Sequence, residues 1–167
     1  MSALLSAVCQ AFDQSGWKYR EVHDRGVVEA DFEAHHTKLR LHAQAFPEIN
    51  AVSVVAQTAF AVPASRAGIV AELLMRINET LTVGNFEMQW DAGRVLFRAT
   101  NIFPEHGVDP KIIAGLVHSA VAEVDRITPF VSIVLKMNAG ELGKLNMSMF
   151  LMREDLLPDI REKVDGT

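Results

Sequence analysis

Hydrophobic and polar residues along this chain follow a helical period in some stretches and a period of two in others. From Lys18 to Val62 the period is two, which predicts three strands. A helical period follows Pro63, two more alternating strands lie within 86–99, and a third helix opens at Asp109-Pro110 as N-cap and first helical residue. The first helix has these apolar residues between the cap Ser2 and the stop Gly16: Leu4, Leu5, Val8, Cys9 and Phe12.

The first two strands form a predicted hairpin whose apolar residues share one face. Placing them together puts Phe32 opposite Leu41 and Ala30 opposite Ala43, with the turn centred on His36-Thr37. On the other face, the same register brings opposite charges together across the strands. The expected charge pairs are Glu33 with Arg40 and Asp31 with His42.

The second hairpin follows a helix that ends near Asn78, whose amide can satisfy free backbone groups where the next strand begins. We expect Trp90 opposite Val95 and Glu87 near Arg98. This needs a tight turn at Ala92-Gly93 or a four-residue loop in which the glycine supplies positive φ. In the third helix, Pro129 is expected to break or kink the chain.

These elements predict an α+β domain, an antiparallel sheet with helices packed on one face, in the order α-β-β-β-α-β-β-α. The character of the sequence changes after residue 139. We therefore assign residues 1–139 to the domain and residues 140–167 to a C-terminal extension, methionine-rich at first and then charged and frayed from about Pro158.

Composition excludes several classes of function. The formal net charge is −5 and the 16 basic residues are scattered singly, whereas a nucleic-acid binder concentrates them. No apolar run approaches the length of a membrane span. The single cysteine, Cys9, cannot form a disulfide within the chain, and the first residues lack signal-peptide features, so we expect a cytoplasmic protein.

Three stretches, taken together, are similar to one known family. They are Gly16-Trp17-Lys18-Tyr19, LRLHAQ (39–44), and the segment 63–100, in which LLxxIN, GNFE and DxGxVxFR follow one another. The chain resembles the YbjN family of bacterial sensory transduction regulators from about Leu4 to Leu135. The resemblance implies the fold of type III secretion chaperones, small dimers that bind unfolded stretches of partner proteins, and it implies no catalytic residues.

Candidate chemistry is sparse. His35, His36 and His42 could suggest a metal, with Asp31 or Glu33 as further ligands, but the strand geometry does not bring a full ligand set together. Cys9 lies in an apolar stripe, where burial makes a thiol inert, and His118-Ser119 are adjacent on a helix without a nucleophile elbow. We predict no enzyme activity, no cofactor and no metal site.

The predicted function is a non-enzymatic protein-interaction or regulatory module, a chaperone-like homodimer with a protein partner and with neither nucleic acid nor membrane. The alternative is a small-molecule-sensing signalling domain with a pocket between sheet and helices near Trp90 and Phe97. Methionines suit adaptable binding surfaces, although they can equally cover the sheet or the long helix. The predicted interface combines the third helix and the methionine-rich segment: Val117, Val121, Val124, Phe130, Val134, Met147 and Met149.

Overall fold

The computed structural model describes residues 2–105 and 107–157. Its helices are α1 (Ala3–Gln14), α2 (Ala67–Asn78), α3 (Pro110–Lys136), α4 (Ala139–Leu142) and α5 (Met147–Leu151). Its strands are β1 (Arg20–Val22), β2 (Val27–Glu33), β3 (Lys38–Phe46), β4 (Ala51–Ala61), β5 (Asn85–Gln89) and β6 (Arg94–Ile102). The predicted α+β class is confirmed, with one short strand, β1, added before the three expected in the first half.

The six strands form one antiparallel sheet in the order β1-β2-β3-β4-β6-β5. Helices α1 and α3 pack on one face of it, and the core lies between these helices and the sheet. Phe12 of α1, Val117 of α3 and Phe97 of β6 are all fully buried there. None of the helices in the described residues packs across the opposite face, so that face is open.

The register of the first hairpin differs from the predicted one by two residues. Phe32 lies opposite Leu39 and Ala30 opposite Leu41. The Ala34 amide donates to the Thr37 carbonyl at 2.9 Å, which closes a two-residue turn at His35-His36. A slip of two residues keeps every side chain on its face, so the alternating pattern could not detect it.

The predicted charge pairs of this hairpin change partners with the register. Asp31 pairs with Arg40 at 3.3 Å and Glu33 with Lys38 at 3.3 Å, instead of Asp31 with His42 and Glu33 with Arg40. The principle behind the prediction still holds, because opposite charges face one another across the strands.

The second hairpin is also two residues out of the predicted register. Met88, and not Trp90, lies opposite Val95. Trp90 instead begins a four-residue loop, where it is 60% exposed and Gly93 has φ 60°. The expected contact between Glu87 and Arg98 is nevertheless present at 2.7 Å, because long side chains also reach a diagonal neighbour.

The helix ends follow their sequence signals. The Ser2 hydroxyl accepts from the Leu5 amide at 3.2 Å, and the Asp109 carboxylate accepts from the Lys111 amide at 2.9 Å. The helix α3 continues through Pro129, so of the two predicted alternatives a break is wrong and a kink stays a prediction. The helix α2 begins only at Ala67, because a short 3-10 turn follows Pro63.

The beginning of the C-terminal extension packs on the domain. The Phe150 ring of α5 meets Phe130 of α3 edge to face at 5.4 Å, and Met147 is buried. On the neighbouring helix α2, Arg76 donates to the Ser148 hydroxyl at 3.0 Å. The boundary at residue 140 stays a prediction, and the frayed end predicted from Pro158 lies outside the described residues. No helix in the described ranges is long and apolar enough to span a membrane.

Candidate functional site: the open face of the sheet

The open face consists of the strand side chains that point away from α1 and α3. Successive strands contribute cross-strand rows, because residues with the same register lie side by side. One row crosses the whole sheet: Arg20, Glu29, His42, Val55, Arg98 and Asn85. The next row toward the hairpin turns contains Asp31, Arg40, Gln57, Leu96 and Glu87.

Small side chains occupy the centre of the open face. Ala51, Ser53 and Val55 of β4 are buried although no described helix covers them. Longer side chains on the neighbouring strands, such as half-buried His42 and Arg98, surround them. The Ser53 hydroxyl also accepts a hydrogen bond of 2.9 Å from the Thr100 hydroxyl. The result is a shallow surface whose rim stands higher than its centre.

The charges of the open face are largely paired with one another. Beyond the two pairs of the first hairpin, Arg20 bonds to Glu29, and Arg98 donates two hydrogen bonds to Glu87 at 2.7 and 3.1 Å. Exposed pairs of this kind contribute little to stability. They do leave the surface without a strong field of one sign, unlike a nucleic-acid interface.

Two titratable groups on this face have shifted pKa values. Burial lowers the pKa of His42, and the nearby Arg98 charge lowers it further, against a smaller opposing effect of Glu29. The hydrogen bond to Glu87 raises the pKa of Arg98. At neutral pH, therefore, His42 is neutral and Arg98 keeps its charge, so the middle of the face has one fixed cation held by a carboxylate.

Exposed apolar side chains lie at one end of the open face. Ile102 at the end of β6 is 71% exposed, and Ile49 in the turn between β3 and β4 is 60% exposed. Ala51, paired with Ile102, separates it from half-buried Phe46. An apolar surface at the edge of a polar face is typical of sites that bind other proteins.

Most of the residues predicted as an interface lie inside the protein. Within the single chain, five of them belong to the core between the helices and the sheet: Val117, Val124, Phe130, Val134 and Met147. Val121 is half-buried, and Met149 is 69% exposed. The helical spacing correctly marked an apolar stripe, but the stripe faces the sheet. Only Val121 and Met149 have surface that a partner could contact without rearrangement.

The histidines are separated by the fold. His35 and His36 sit in the turn between β2 and β3, whereas His42 lies within the sheet. Within residues 2–105 and 107–157 no group of three or more His, Cys, Asp or Glu side chains is placed to hold a metal ion. Cys9 is 9% exposed, and burial raises the pKa of its thiol, which disfavours the reactive thiolate.

One buried carboxylate was not found by sequence reasoning. Asp125, in the middle of α3, is 6% exposed. Its carboxylate accepts from the backbone amide of His36 at 2.5 Å and lies 3.4 Å from the imidazole Nδ1 of the same residue. It therefore fastens the first hairpin to the long helix. The only sequence signal was an acidic residue inside an apolar helical stripe.

Comparison with protein families identifies the chain. Residues 4–132 match the YbjN family, described as "Putative bacterial sensory transduction regulator". The chain belongs to the YbjN family. The matched residues include both hairpins and most of α3. They therefore include every strand of the open face. Among curated proteins, no match is found.

Solved structures share the fold of this YbjN-family chain. The crystal structure of YbjN, "a putative transcription regulator from E. coli", aligns with TM-score 0.52 and 16% identity, over 78% of this chain and 87% of that one. The crystal structure of the ExsC–ExsE complex aligns with TM-score 0.53 and 11% identity, over 74% of this chain and 90% of that one. The resemblance to a secretion-chaperone-like fold is thus confirmed.

Proposed function

We propose that this YbjN-family chain is a non-enzymatic interaction module that acts as a homodimer and binds a protein partner on the open face of its sheet. The observation that carries the proposal is the open face itself. Six strands present a broad surface with buried small residues at its centre and exposed apolar side chains at one end. A surface of this shape suits another polypeptide better than a small molecule, which is usually held in a concave pocket.

A protein of similar fold supports a polypeptide partner. ExsC was crystallised in complex with ExsE, and the fold similarity to this chain covers 74% of it. At 11% identity this similarity concerns the fold alone. The proposal for this chain therefore depends on its own surface. The single, buried cysteine fits a reducing compartment, and we propose the cytoplasm.

The homodimer has its own support and its own test. Met149 of α5 and Met152, directly after that helix, are both strongly exposed, at 69% and 79%. Exposed methionines form adaptable contact surfaces. We expect multi-angle light scattering at tens of micromolar to give twice the monomer mass. A monomer mass under those conditions would contradict the dimer.

The open face is tested with two matched substitutions. Ile102→Glu places a charge in the exposed apolar end of the face, and Met75→Glu places one on a similarly exposed residue of α2. Both positions are solvent-facing, so both variants should keep the stability of the parent within about 0.5 kcal/mol. Partner binding should be lost with Ile102→Glu and kept with Met75→Glu. Equal effects of the two variants would contradict the assignment of the open face.

The small-molecule alternative gains no support from the residues on which it was based. Phe97 is fully buried against Phe86, with ring centroids 5.0 Å apart, whereas Trp90 is exposed in a turn. A buried ring has no surface to offer a ligand. A thermal-shift screen tests the alternative, because a ligand of the native state raises the melting temperature.

A further inference from the structure

The edge of the sheet at β2 is only partly covered by β1. The strand β1 pairs with β2 at three positions, of which the last is Arg20 opposite Glu29. The strand β2 continues to Glu33, and its residues beyond Glu29 have a paired neighbour only on the β3 side. A stretch of strand edge is therefore left open beside β1.

Hydrogen bonds at both ends of the hairpin show which backbone groups face this open edge. Ala34 donates to Thr37 at one end, and Ala45 donates to Gly26 at the other. Because antiparallel bonding alternates along a strand, the even-numbered residues of β2 bond to β3. The amide and carbonyl of Asp31 and of Glu33 therefore point outward, and in the part of the chain that the structure describes no backbone group bonds to them.

A groove lies beside the first part of this open edge, at Ala30 and Asp31. It has a volume of about 560 Å³ and lies where the chain before β1 diverges from β2. Lys18 and Tyr19 form one side of it, and Ala30 and Asp31 form the other. A strand added to a sheet needs a neighbouring lane of roughly 5 Å beside the edge, and the groove begins where β1 leaves that lane.

The charges along β2 specify what kind of strand would fit. Its outward side chains on the open face are acidic at alternate positions: Glu29, Asp31 and Glu33. Arg20 of β1 forms an ion pair with the first of these residues, Glu29. Among the described residues, Asp31 and Glu33 form ion pairs only with residues of β3. Both pairs are exposed, and the side chains of Asp31 and Glu33 are 79% and 74% accessible. A basic residue of an added strand opposite each of these carboxylates would form the same kind of cross-strand ion pair as Arg20 forms with Glu29.

The opposite edge of the sheet is blocked where this one is open. On β5, the Asn78 side chain accepts from the Phe86 amide at 2.8 Å and donates to the Phe86 carbonyl at 3.1 Å. An amide side chain thus takes the place of a neighbouring strand at the middle of β5. Exposed edges invite strand addition unless they are covered, and in the described residues the β2 edge combines free backbone groups with a groove.

We propose that the β2 edge from Asp31 to Glu33 binds an extended segment of a partner protein as an added antiparallel strand, with basic residues at alternate positions of that segment. This inference rests on the proposed protein-binding function and names the chemistry of the partner. Four backbone hydrogen bonds, two at Asp31 and two at Glu33, hold the segment, and the acidic side chains select its sequence.

The probe is a fluorescent eight-residue peptide that alternates lysine and valine, with a glutamate–valine peptide as charge control. Binding is measured by fluorescence anisotropy, and the site is located by NMR shifts of backbone amides. We expect the lysine peptide to bind about tenfold more tightly than the glutamate peptide, because two opposite-charge pairs replace two like-charge contacts. The amide signals of Asp31 and Glu33 should shift.

Two variants separate strand addition from simple charge attraction. Glu33→Ala and Glu33→Pro both remove the carboxylate, but only the proline removes the outward amide, and proline is tolerated at an edge where its nitrogen faces solvent. We expect Glu33→Pro to weaken binding of the lysine peptide by about a further tenfold relative to Glu33→Ala. Equal affinities of these two folded variants would overturn strand addition.

The peptide experiment is separate from the test of the proposed function. Shifts at Gln57 and Thr100, with Asp31 and Glu33 unchanged, would overturn the edge inference and leave the open face as the binding surface. No binding of the lysine peptide at millimolar concentration would also overturn the edge inference. The proposed function fails on a different result, equal partner binding by the Ile102→Glu and Met75→Glu variants.

Discussion

Removing the carboxylate of Asp125 tests how the first hairpin is fastened to the long helix. Asp125→Ala deletes the acceptor for the His36 amide, which lies 89 residues away in the sequence. No other partner for that amide is found among the described residues, so the amide is left unsatisfied. The hairpin tip would then be held only by its apolar contacts and by the strands beside it.

The magnitude follows from the geometry. A hydrogen bond to a charged acceptor contributes about 1.5–3 kcal/mol, and the Asp125 side chain is 9% exposed, so water screens it little. The contact with the His36 imidazole is longer, at 3.4 Å, and adds less than about 1 kcal/mol. We expect Asp125→Ala to lower the free energy of unfolding by about 2–3 kcal/mol. Asp125→Asn keeps a neutral acceptor and should cost about 1 kcal/mol.

Urea unfolding followed by tryptophan fluorescence measures these differences. His36→Ala is the matched control, because it keeps the backbone amide and removes only the imidazole. It should cost less than about 1 kcal/mol. A loss for His36→Ala as large as that for Asp125→Ala would refute the reasoning, since it would show that the side chain and not the backbone amide carries the contact.

Three further predictions concern single positions. Asn78→Ala should lower the free energy of unfolding by about 2 kcal/mol, and Asn78→Asp, which keeps the acceptor for the Phe86 amide, by about half of that in urea titrations. Gly84→Ala should destabilise by about 2 kcal/mol or more, because its φ is 74° and its Cβ would lie 2.6 Å from the Phe97 ring, whereas Gly68→Ala, with open space in α2, should stabilise by about 0.5–1 kcal/mol. Burial, followed by interaction with the Asp13 side chain, raises the pKa of Tyr19, the single tyrosine, to about 12, so absorbance at ~295 nm should titrate near 12 in the folded protein and near 10 in urea. A raised pKa means that the native state retains its proton, so this contribution to stability is complete below about pH 10 and is lost as pH rises to about 12.

The fold class could be predicted because its signals are local. Alternation of apolar residues marks a strand wherever the strand lies, and caps such as Ser2 and Asp109 act on amides within the same turn. The place of Gly93 in the second turn was predicted for the same reason, since the positive φ belongs to that residue itself.

The two hairpin registers could not be fixed by the same reasoning. Apolar alternation has a period of two, so a register shifted by two residues satisfies it equally well. The two-residue turn at His35-His36 sets the register of the first hairpin, and the loop that begins at Trp90 sets the register of the second. Turn geometry depends on backbone angles that the residue types at these positions do not determine.

Five of the seven residues predicted as an interface lie in the core, and the reason is physical. An apolar stripe on α3 looks the same whether it meets a partner or its own sheet, and here it meets the sheet. The open face has polar side chains at its rim and small side chains at its centre. The sequence pattern of its strands therefore resembles that of ordinary strands with one solvated side. The absence of a covering helix in the described residues is a property of the assembled fold, which the alternating pattern does not reveal.

The most direct test of the central claim is site-specific photo-crosslinking in the native cell. A photoreactive residue at Gln57 lies on the open face, and one at Gln10 lies on the exposed side of α1. We predict a discrete adduct with a protein partner from position 57 and none from position 10. Equal adducts from both positions, or an adduct from position 10 alone, would contradict the claim that the open face of the sheet is where the partner binds.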